Sequence, residues 1–453
     1  MQKLLIANRG EIAVRIIRAA RELDITTVAI YSEADEHAEH VRLADEAVCV
    51  GPAQATASYL NISNVLAAIE SSGADAVHPG YGFMSENADF AQAVVDAGAV
   101  WVGPAAQAIR DMGDKVSARR SAKAADVNTV PGSAGELTDP DEAVAVAADI
   151  GFPLAIKASA GGGGRGIRIV EQESDLIGAI KTAKAEARAA FGNDAVYIER
   201  FIPRARHIEV QVFGDGVRAV HLGMRDCSVQ RRRQKVVEEA GQLFVTPEVG
   251  QRMCDAAVRL AEAVQYQGAG TVEFLYDEQR NDYYFLEMNT RIQVEHPVTE
   301  MVFGEDLVAE QLRVAAGQPL SFVQESLVPR GHAIEIRLNA ENADMNFLPS
   351  PGTLEKFALP GGPFVRLDSG VVTGSVISPY YDSMLAKIIV WGATRDLAVA
   401  RMLRALGELD VQGIVTTAPF VETILRSPDF ASGAFHTTWL EKWMADRAEA
   451  GAA

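Results

Sequence analysis

Glu287-Met288-Asn289-Thr290-Arg291-Ile292-Gln293-Val294-Glu295 carries a strongly polar side chain at every second position. Side chains of an extended segment alternate faces, so Glu287, Asn289, Arg291, Gln293 and Glu295 are expected to line one side. Tyr283-Tyr284-Phe285-Leu286 leads directly into this row, which sets the polar face inside the protein. Buried carboxylates need cations or hydrogen-bond donors, and the row therefore reads as a reaction centre. An exposed charged hairpin is the competing reading of the segment taken alone.

A second carboxylate strengthens the first reading. Gly270 to Tyr276 has the pattern of a strand and Asp277 to Asp282 that of a turn. A hairpin centred near Arg280 puts Glu273 opposite Glu287. Two carboxylates about 4 Å apart repel by roughly 4 kcal/mol at an effective dielectric of 20, a cost that a divalent cation removes. Asn289 adds a neutral oxygen on the same face. Oxygen-only donors suit Mg²⁺ or Mn²⁺, and Mg²⁺ commonly accompanies nucleotide phosphates.

With 453 residues, 48% of them hydrophobic, the chain can form two or three domains with substantial cores. A net charge of −19 argues against nucleic acid or an anionic membrane as the main partner. Cys49, Cys227 and Cys254 lack metal-ligand spacing and suit a reducing compartment. No apolar run has the length of a membrane span, and the first residues, Met1 to Ala7, read as a strand rather than a secretory signal. The expectation is a cytoplasmic protein.

The opening residues alternate strand and helix signals. Leu4 to Ala7, Thr27 to Tyr31, Ala47 to Val50, Ala76 to His78 and Val100 to Val102 are the strands, which predicts a doubly wound parallel sheet over 1–112. Its first turn lacks a G-x-G-x-x-G fingerprint, which disfavours NAD. A linker and a small, mobile lid follow over 113–203, with strands at Leu154 to Lys157, Ile167 to Val170 and Val196 to Glu199. A strand-rich domain is expected over 204–446, and 447–453 as a frayed tail. The fold class is thus mixed α/β and α+β.

The lid strands flank Ser159-Ala160-Gly161-Gly162-Gly163-Gly164-Arg165-Gly166. Four successive glycines remove every Cβ and let backbone N–H groups close over phosphate oxygens. No Gly-Lys-Ser/Thr follows, so this is not a Walker A loop; a plain flexible hairpin is the alternative. Lys157 and Arg165 favour phosphate.

The glycine flap, the Glu273/Glu287/Asn289 set and Thr290 to Pro297 together resemble the ATP-grasp superfamily, and more narrowly biotin carboxylase. The likeness extends from Ile6-Ala7-Asn8-Arg9-Gly10-Glu11 through His78 to Phe83, Arg225-Asp226-Cys227-Ser228 and Pro379 to Met384, as far as about Trp443. The resemblance implies a reaction in which ATP phosphorylates bicarbonate to carboxyphosphate, whose carboxyl group passes to N1′ of biotin. It implies Glu295 as base, with Lys235, Arg291, Gln293 and the Val294 backbone around bicarbonate, and Arg337 and Tyr81 toward biotin. ATP would engage Lys115, Lys157, Gly162, Gly163, Gly164, Glu199, Arg200, Ile202, His207, Gln230 and Arg233. Glu273, Glu287 and Asn289 would hold Mg²⁺ or Mn²⁺.

Arg233 stands where this family usually has histidine, Ala160 where it often has glycine, and Gly241-Gln242-Leu243-Phe244 where a proline-containing stretch is usual. No methionine precedes a lysine, so the Met-Lys biotinylation motif is absent. The resemblance therefore implies biotin on a separate biotin carboxyl carrier protein, a carboxyltransferase subunit as further partner, and a homodimer. The alternative readings are another ATP-grasp carboxylate–amine ligase or a non-catalytic ATP-binding subunit. The Arg291-to-Glu295 run and Arg337 favour bicarbonate and biotin over the first, and the presence of all the expected ligands argues against the second, for which Arg233 is the only sequence support.

Overall fold

The computed structural model describes residues 1–133, 135–137, 140–158 and 167–451. Strands β1 (Lys3–Ile6), β2 (Thr26–Tyr31), β3 (Glu46–Cys49), β4 (Ala76–His78) and β5 (Val100–Trp101) form an all-parallel sheet in the order β3-β2-β1-β4-β5. Helix α1 (Gly10–Glu22) buries Ile12, Ile16, Ala19 and Ala20 together with Leu4 and Ile6. The strand order reverses between β1 and β4, and such a switch point opens a crevice at the carboxyl ends of the strands. Asn8 spans that crevice, donating from Nδ2 to the carbonyls of Pro79 and Tyr81, both at 2.7 Å. A Cβ on Gly80 would come within 2.9 Å of Asn8 Nδ2, so glycine is required there. The crevice presents Glu11 and Tyr81, which hydrogen-bond to each other.

Strands β6 (Leu154–Ala158), β7 (Ile167–Val170) and β8 (Val196–Arg200) form an antiparallel sheet in the order β7-β6-β8. With helices Pro140–Ile150 and Glu173–Phe191 it encloses its own apolar cluster, including Leu137, Leu154, Leu176 and Ile198. The glycine run, with Gly162, Gly163, Gly164, Ala160 and Arg165, lies outside the described residues.

The largest sheet is eight-stranded and antiparallel, and three short two-stranded ladders lie outside it. β9 (Ala205–Asp215), β10 (Ala219–Arg231), β11 (Gln234–Ala240), β12 (Gln267–Asp277), β13 (Asp282–Asn289) and β14 (His332–Asn339) are joined by Val365–Ser369 and Met384–Gly392. Their order is β13-β12-β9-β10-β11-β14, then Met384–Gly392, then Val365–Ser369. The β12–β13 hairpin turns through 278–281 and sets Glu273 opposite Glu287. Phe274 pairs with Phe285, however, so Leu286 is an extra, bulged residue. The bulge, not simple alternation, brings the two carboxylates into register.

Two expectations need correcting. The extended run stops at Asn289 instead of reaching Glu295: residues 290–295 form bends and a turn, and helix His296–Phe303 begins with Glu295 at its N-cap. Pro297 explains the ending, since proline suits the first turn of a helix. The tail also differs, because helix Trp439–Gly451 continues through most of the stretch expected to fray. Among the described residues, no helix is long and apolar enough to cross a membrane.

Candidate active site

Cross-strand register builds one wall of the site. Glu287 pairs with Glu273, Glu273 with Glu209, and Glu209 with Arg225, so these four form a row across β13, β12, β9 and β10. Glu209 and Arg225 are fully buried, and Arg225 Nε donates to Glu209 Oε1 at 2.5 Å. The other guanidinium nitrogens reach Gln211 (2.6 Å), Thr299 (2.9 Å), Thr271 (3.0 Å) and Gln293 (2.8 Å). One arginine thereby ties three strands to the turn and helix that follow β13. Gln293 in turn donates to Glu273 Oε1 at 2.8 Å, as does Asn289.

Glu295 lies at the junction. Its Oε1 accepts from Lys235 Nζ at 2.5 Å and its Oε2 from Arg337 Nη2 at 3.0 Å. Lys235 also reaches Glu209 (2.6 Å) and Glu273 (3.2 Å), and Arg337 Nε donates to Glu238 Oε1 at 2.7 Å. Lys235 pairs with Gln230 while Val237 pairs with Val229, leaving Val236 as an unpaired extra residue. That bulge lets Lys235 and Glu238 both serve the Glu295–Arg337 corner, although an odd sequence spacing would normally set them on opposite faces. Burial alone would raise the Glu295 carboxyl, but Lys235, Arg337 and Arg225 hold it well below the usual carboxylate range.

Arg291 borders this corner instead of joining it. It donates to Glu86 Oε2 (2.9 Å) and Asn289 Oδ1 (3.0 Å). The Val294 carbonyl accepts from the buried Lys387 Nζ at 2.8 Å. Tyr81 is held by Glu11 on the facing crevice, and Glu11 is itself 3.2 Å from Lys387.

The residues expected at a nucleotide divide between the lid and the large sheet. Lys157 donates to Glu199 at 2.5 Å, and Arg119 pairs with the other oxygen of that carboxylate. Ile202 is buried beside Val130, Ala205 and Tyr284, while the Arg200 guanidinium caps the Ile150 carbonyl at 3.0 and 3.1 Å. Any contact of Arg200 with a nucleotide would therefore come from its backbone. His207 Nε2 lies 2.9 Å from Glu273 Oε2; burial opposes its charged form, but Glu273 outweighs burial and raises its pKa. Gln230 is buried and donates to the Cys227 carbonyl at 3.4 Å. Lys115 opens helix Lys115–Ala124, and its charge acts on Glu287.

Arg232 and Arg233 form the two-residue turn of the β10–β11 hairpin, with φ of 47° and 67°. Such positions favour glycine or asparagine and admit histidine more readily than most residues. The Arg233 charge acts on Glu287, on the side expected to meet phosphates. Arg233→His is expected to shift the KM for ATP several-fold with the turn intact; unchanged nucleotide kinetics would refute a role for Arg233 there.

The donor chemistry fits a divalent cation. Burial raises the Glu287 carboxyl and Glu273 raises it further, whereas Lys235 and His207 overcome burial to hold Glu273 well below its ordinary value. A cation between the two carboxylates relieves this repulsion. In the observed rotamer the Asn289 amide turns its nitrogen to Glu273 and its oxygen to Arg291, so it would have to reorient to supply an oxygen. Glu209, together with His207 and Glu273, has donor atoms close enough to bind a metal, and Glu209 with Cys227 and Glu295 forms a second such group.

Three family models match in chain order. They are the biotin carboxylase N-terminal domain over residues 1–109, the ATP-binding domain of the carbamoyl-phosphate synthase L chain over 114–323, and the biotin carboxylase C-terminal domain over 335–442. Biotin carboxylase 1 of Bacillus subtilis is 54% identical over 98% of this chain and 99% of its own length. The chain belongs to the biotin carboxylase family. Within that family, the Campylobacter jejuni enzyme, solved as a β-γ-ATP complex, superposes with a TM-score of 0.91 at 44% identity, covering 97% and 98% of the two chains. The biotin carboxylase domain dimer of the Hydrogenobacter thermophilus 2-oxoglutarate carboxylase, solved with MgADP, ADP and bicarbonate, gives 0.89 at 46% identity and 97% coverage of both. These likenesses establish an ATP-grasp biotin carboxylase fold.

Reading the sequence missed Glu209, Arg225 and Glu238 as parts of the site. A signal existed for Glu209: His207, Glu209 and Gln211 alternate with the apolar Ile208, Val210 and Val212, as Glu287 and Asn289 flank Met288. Arg225 was visible as a family motif without an assigned role. Glu238 depends on the Val236 bulge, which no local pattern announces.

Proposed function

We propose that this chain uses ATP to carboxylate biotin borne on a separate carrier protein, with bicarbonate as carboxyl source and carboxyphosphate as intermediate. The observation that carries this reading is the Glu295 carboxylate, buried and held between Lys235 and Arg337 one side chain away from Glu273. Metal-supporting carboxylates and a base thus share a single lysine.

Bicarbonate is a weak nucleophile, and Glu295 would take its proton as an oxygen attacks the γ-phosphorus of ATP and ADP departs. A cation held by Glu273 and Glu287 supplies charge neutralisation at the transferring phosphoryl group. In the observed arrangement Glu295 is a poor base, because its cations stabilise the ionised form. Bicarbonate drawing on Lys235 and Arg291, and the biotin ureido oxygen drawing on Arg337, would weaken that stabilisation and restore basicity. Substrate binding would thereby arm the base. Arg337 would then stabilise the enolate-like biotin as N1′ accepts the carboxyl group and phosphate leaves with the N1′ proton.

The residues around ATP would be Lys115, Lys157, His207, Gln230, Arg233 and the Glu199-to-Ile202 segment. A biotin carboxyl carrier protein and a carboxyltransferase subunit would complete the pathway, and a homodimer is the expected assembly. The reading is tested by ATP cleavage with free biotin, bicarbonate and Mg²⁺. ADP release should require bicarbonate and Mg²⁺ and rise many-fold on addition of biotin, and ADP release that biotin does not stimulate would refute it.

A further inference from the structure

Glu335 lies in the middle of β14, directly opposite Glu238 of β11 and two residues from Arg337 on the same face. Both carboxyl groups are fully buried. Glu238 uses Oε1 to hold Arg337 Nε, while its Oε2 and both oxygens of Glu335 have no hydrogen-bond partner among the described residues. Three buried carboxyl oxygens without partners, on two residues paired across adjacent strands, are costly if both groups are ionised. A proton between them turns the repulsion into an O–H···O hydrogen bond.

We propose that Glu335 is a positioning residue for the carboxylation step, sharing a proton with Glu238 so that Glu238 remains a singly charged, fixed partner for Arg337. This deepens the proposed function and rests on Arg337 facing biotin. While the shared proton is present, the pair carries one negative charge. Its loss adds a second charge beside the pocket where negative charge develops on biotin, and disfavours the step. Burial, the largest cause, raises both groups, Glu238 to about 7 and Glu335 well above its ordinary value.

Other charges face the pair from every packed element. Lys235 and Glu295 act on Glu238 from β11 and from the turn before helix His296–Phe303. Lys387, from Met384–Gly392, acts on Glu335 and is balanced by Glu11 of α1 and Asp368 of Val365–Ser369. Cys227 of β10 and Tyr81 beside β4 are held in their neutral forms, since burial pushes both well above their usual values. Glu335 is the member of this set with neither oxygen engaged.

The test combines infrared spectroscopy with a pH profile. At about pH 7, wild-type protein should show the carbonyl stretch of a protonated carboxylic acid, and Glu335→Gln should lose that band. In wild type, kcat/KM for free biotin should fall several-fold as pH rises above about 7 and the raised pair gives up its proton. Glu335→Gln, whose amide donates permanently to Glu238, should flatten that fall with the pH 7 value kept, whereas Glu335→Leu, which removes the second charge but also the donor that fixes Glu238, should flatten it while lowering kcat/KM for biotin several-fold at pH 7. A role confined to packing would lower stability and leave the shape of the profile unchanged.

If Glu335→Gln does not fold, Glu335→Leu must remove the same band. Superimposable profiles for wild type and Glu335→Gln, or the absence of a protonated carboxyl band in wild type at neutral pH, would overturn the proposal. Failure of the functional reading is separate: wild type would then lack biotin-dependent ATP cleavage while the infrared result stood.

Discussion

Glu295→Gln is expected to lower kcat for biotin-dependent ATP cleavage by about 10²- to 10⁴-fold, the usual worth of a positioned general base. The amide keeps the shape of the carboxylate but cannot take the bicarbonate proton. Lys235 retains Glu209 and Glu273, and Arg337 retains Glu238, so neither cation is stranded and the fold should survive. Binding of ATP should change little, because Glu295 lies beyond Glu273 from the expected phosphates. Steady-state kinetics at saturating ATP and bicarbonate would measure this, with a melting curve as control. Activity retained within a few-fold of wild type would remove Glu295 from the role of base.

The largest expected loss of stability belongs to Arg225→Met. Arg225 is fully buried, and its removal leaves the equally buried Glu209 with Lys235 and the more distant His207 (3.8 Å) and strips donors from Gln211, Thr271 and Gln293. Breaking one side of a buried pair typically costs about 3–5 kcal/mol. Urea denaturation should register a shift of that size, and adding Glu209→Leu should recover part of it, because replacing both partners by apolar groups is far cheaper than stranding one. A change below about 1 kcal/mol would mean that water or neighbouring side chains take over the role of Arg225.

Much of the fold was legible because strand alternation and strand–helix order are local signals. The parallel sheet was readable from Leu4, Val28, Ala76 and their neighbours, and the β12–β13 hairpin from its turn. Bulges were not legible. Leu286 and Val236 each change which face a polar residue occupies, and a bulge depends on tertiary pairing that periodicity does not encode. The same limit made the Glu287-to-Glu295 row look continuous, whereas it is a strand, a turn and a helix cap in succession. The turn carries Gln293 and Glu295 back over the sheet, where Gln293 reaches Glu273 and Lys235 links Glu273 to Glu295, while Arg291 stays at the border. Glu335 was visible as part of a polar strand face, but its lack of partners emerges only from three-dimensional packing.

The central claim is that one site joins ATP cleavage to carboxyl transfer from bicarbonate to biotin. Its most direct test is to incubate the protein with ATP, Mg²⁺, isotopically labelled bicarbonate and free biotin, and to follow ADP and labelled biotin together. The account predicts an acid-labile label on biotin that appears in step with ADP and is absent without ATP. ADP formation with no label on biotin, or label that enters biotin without ATP, would contradict it.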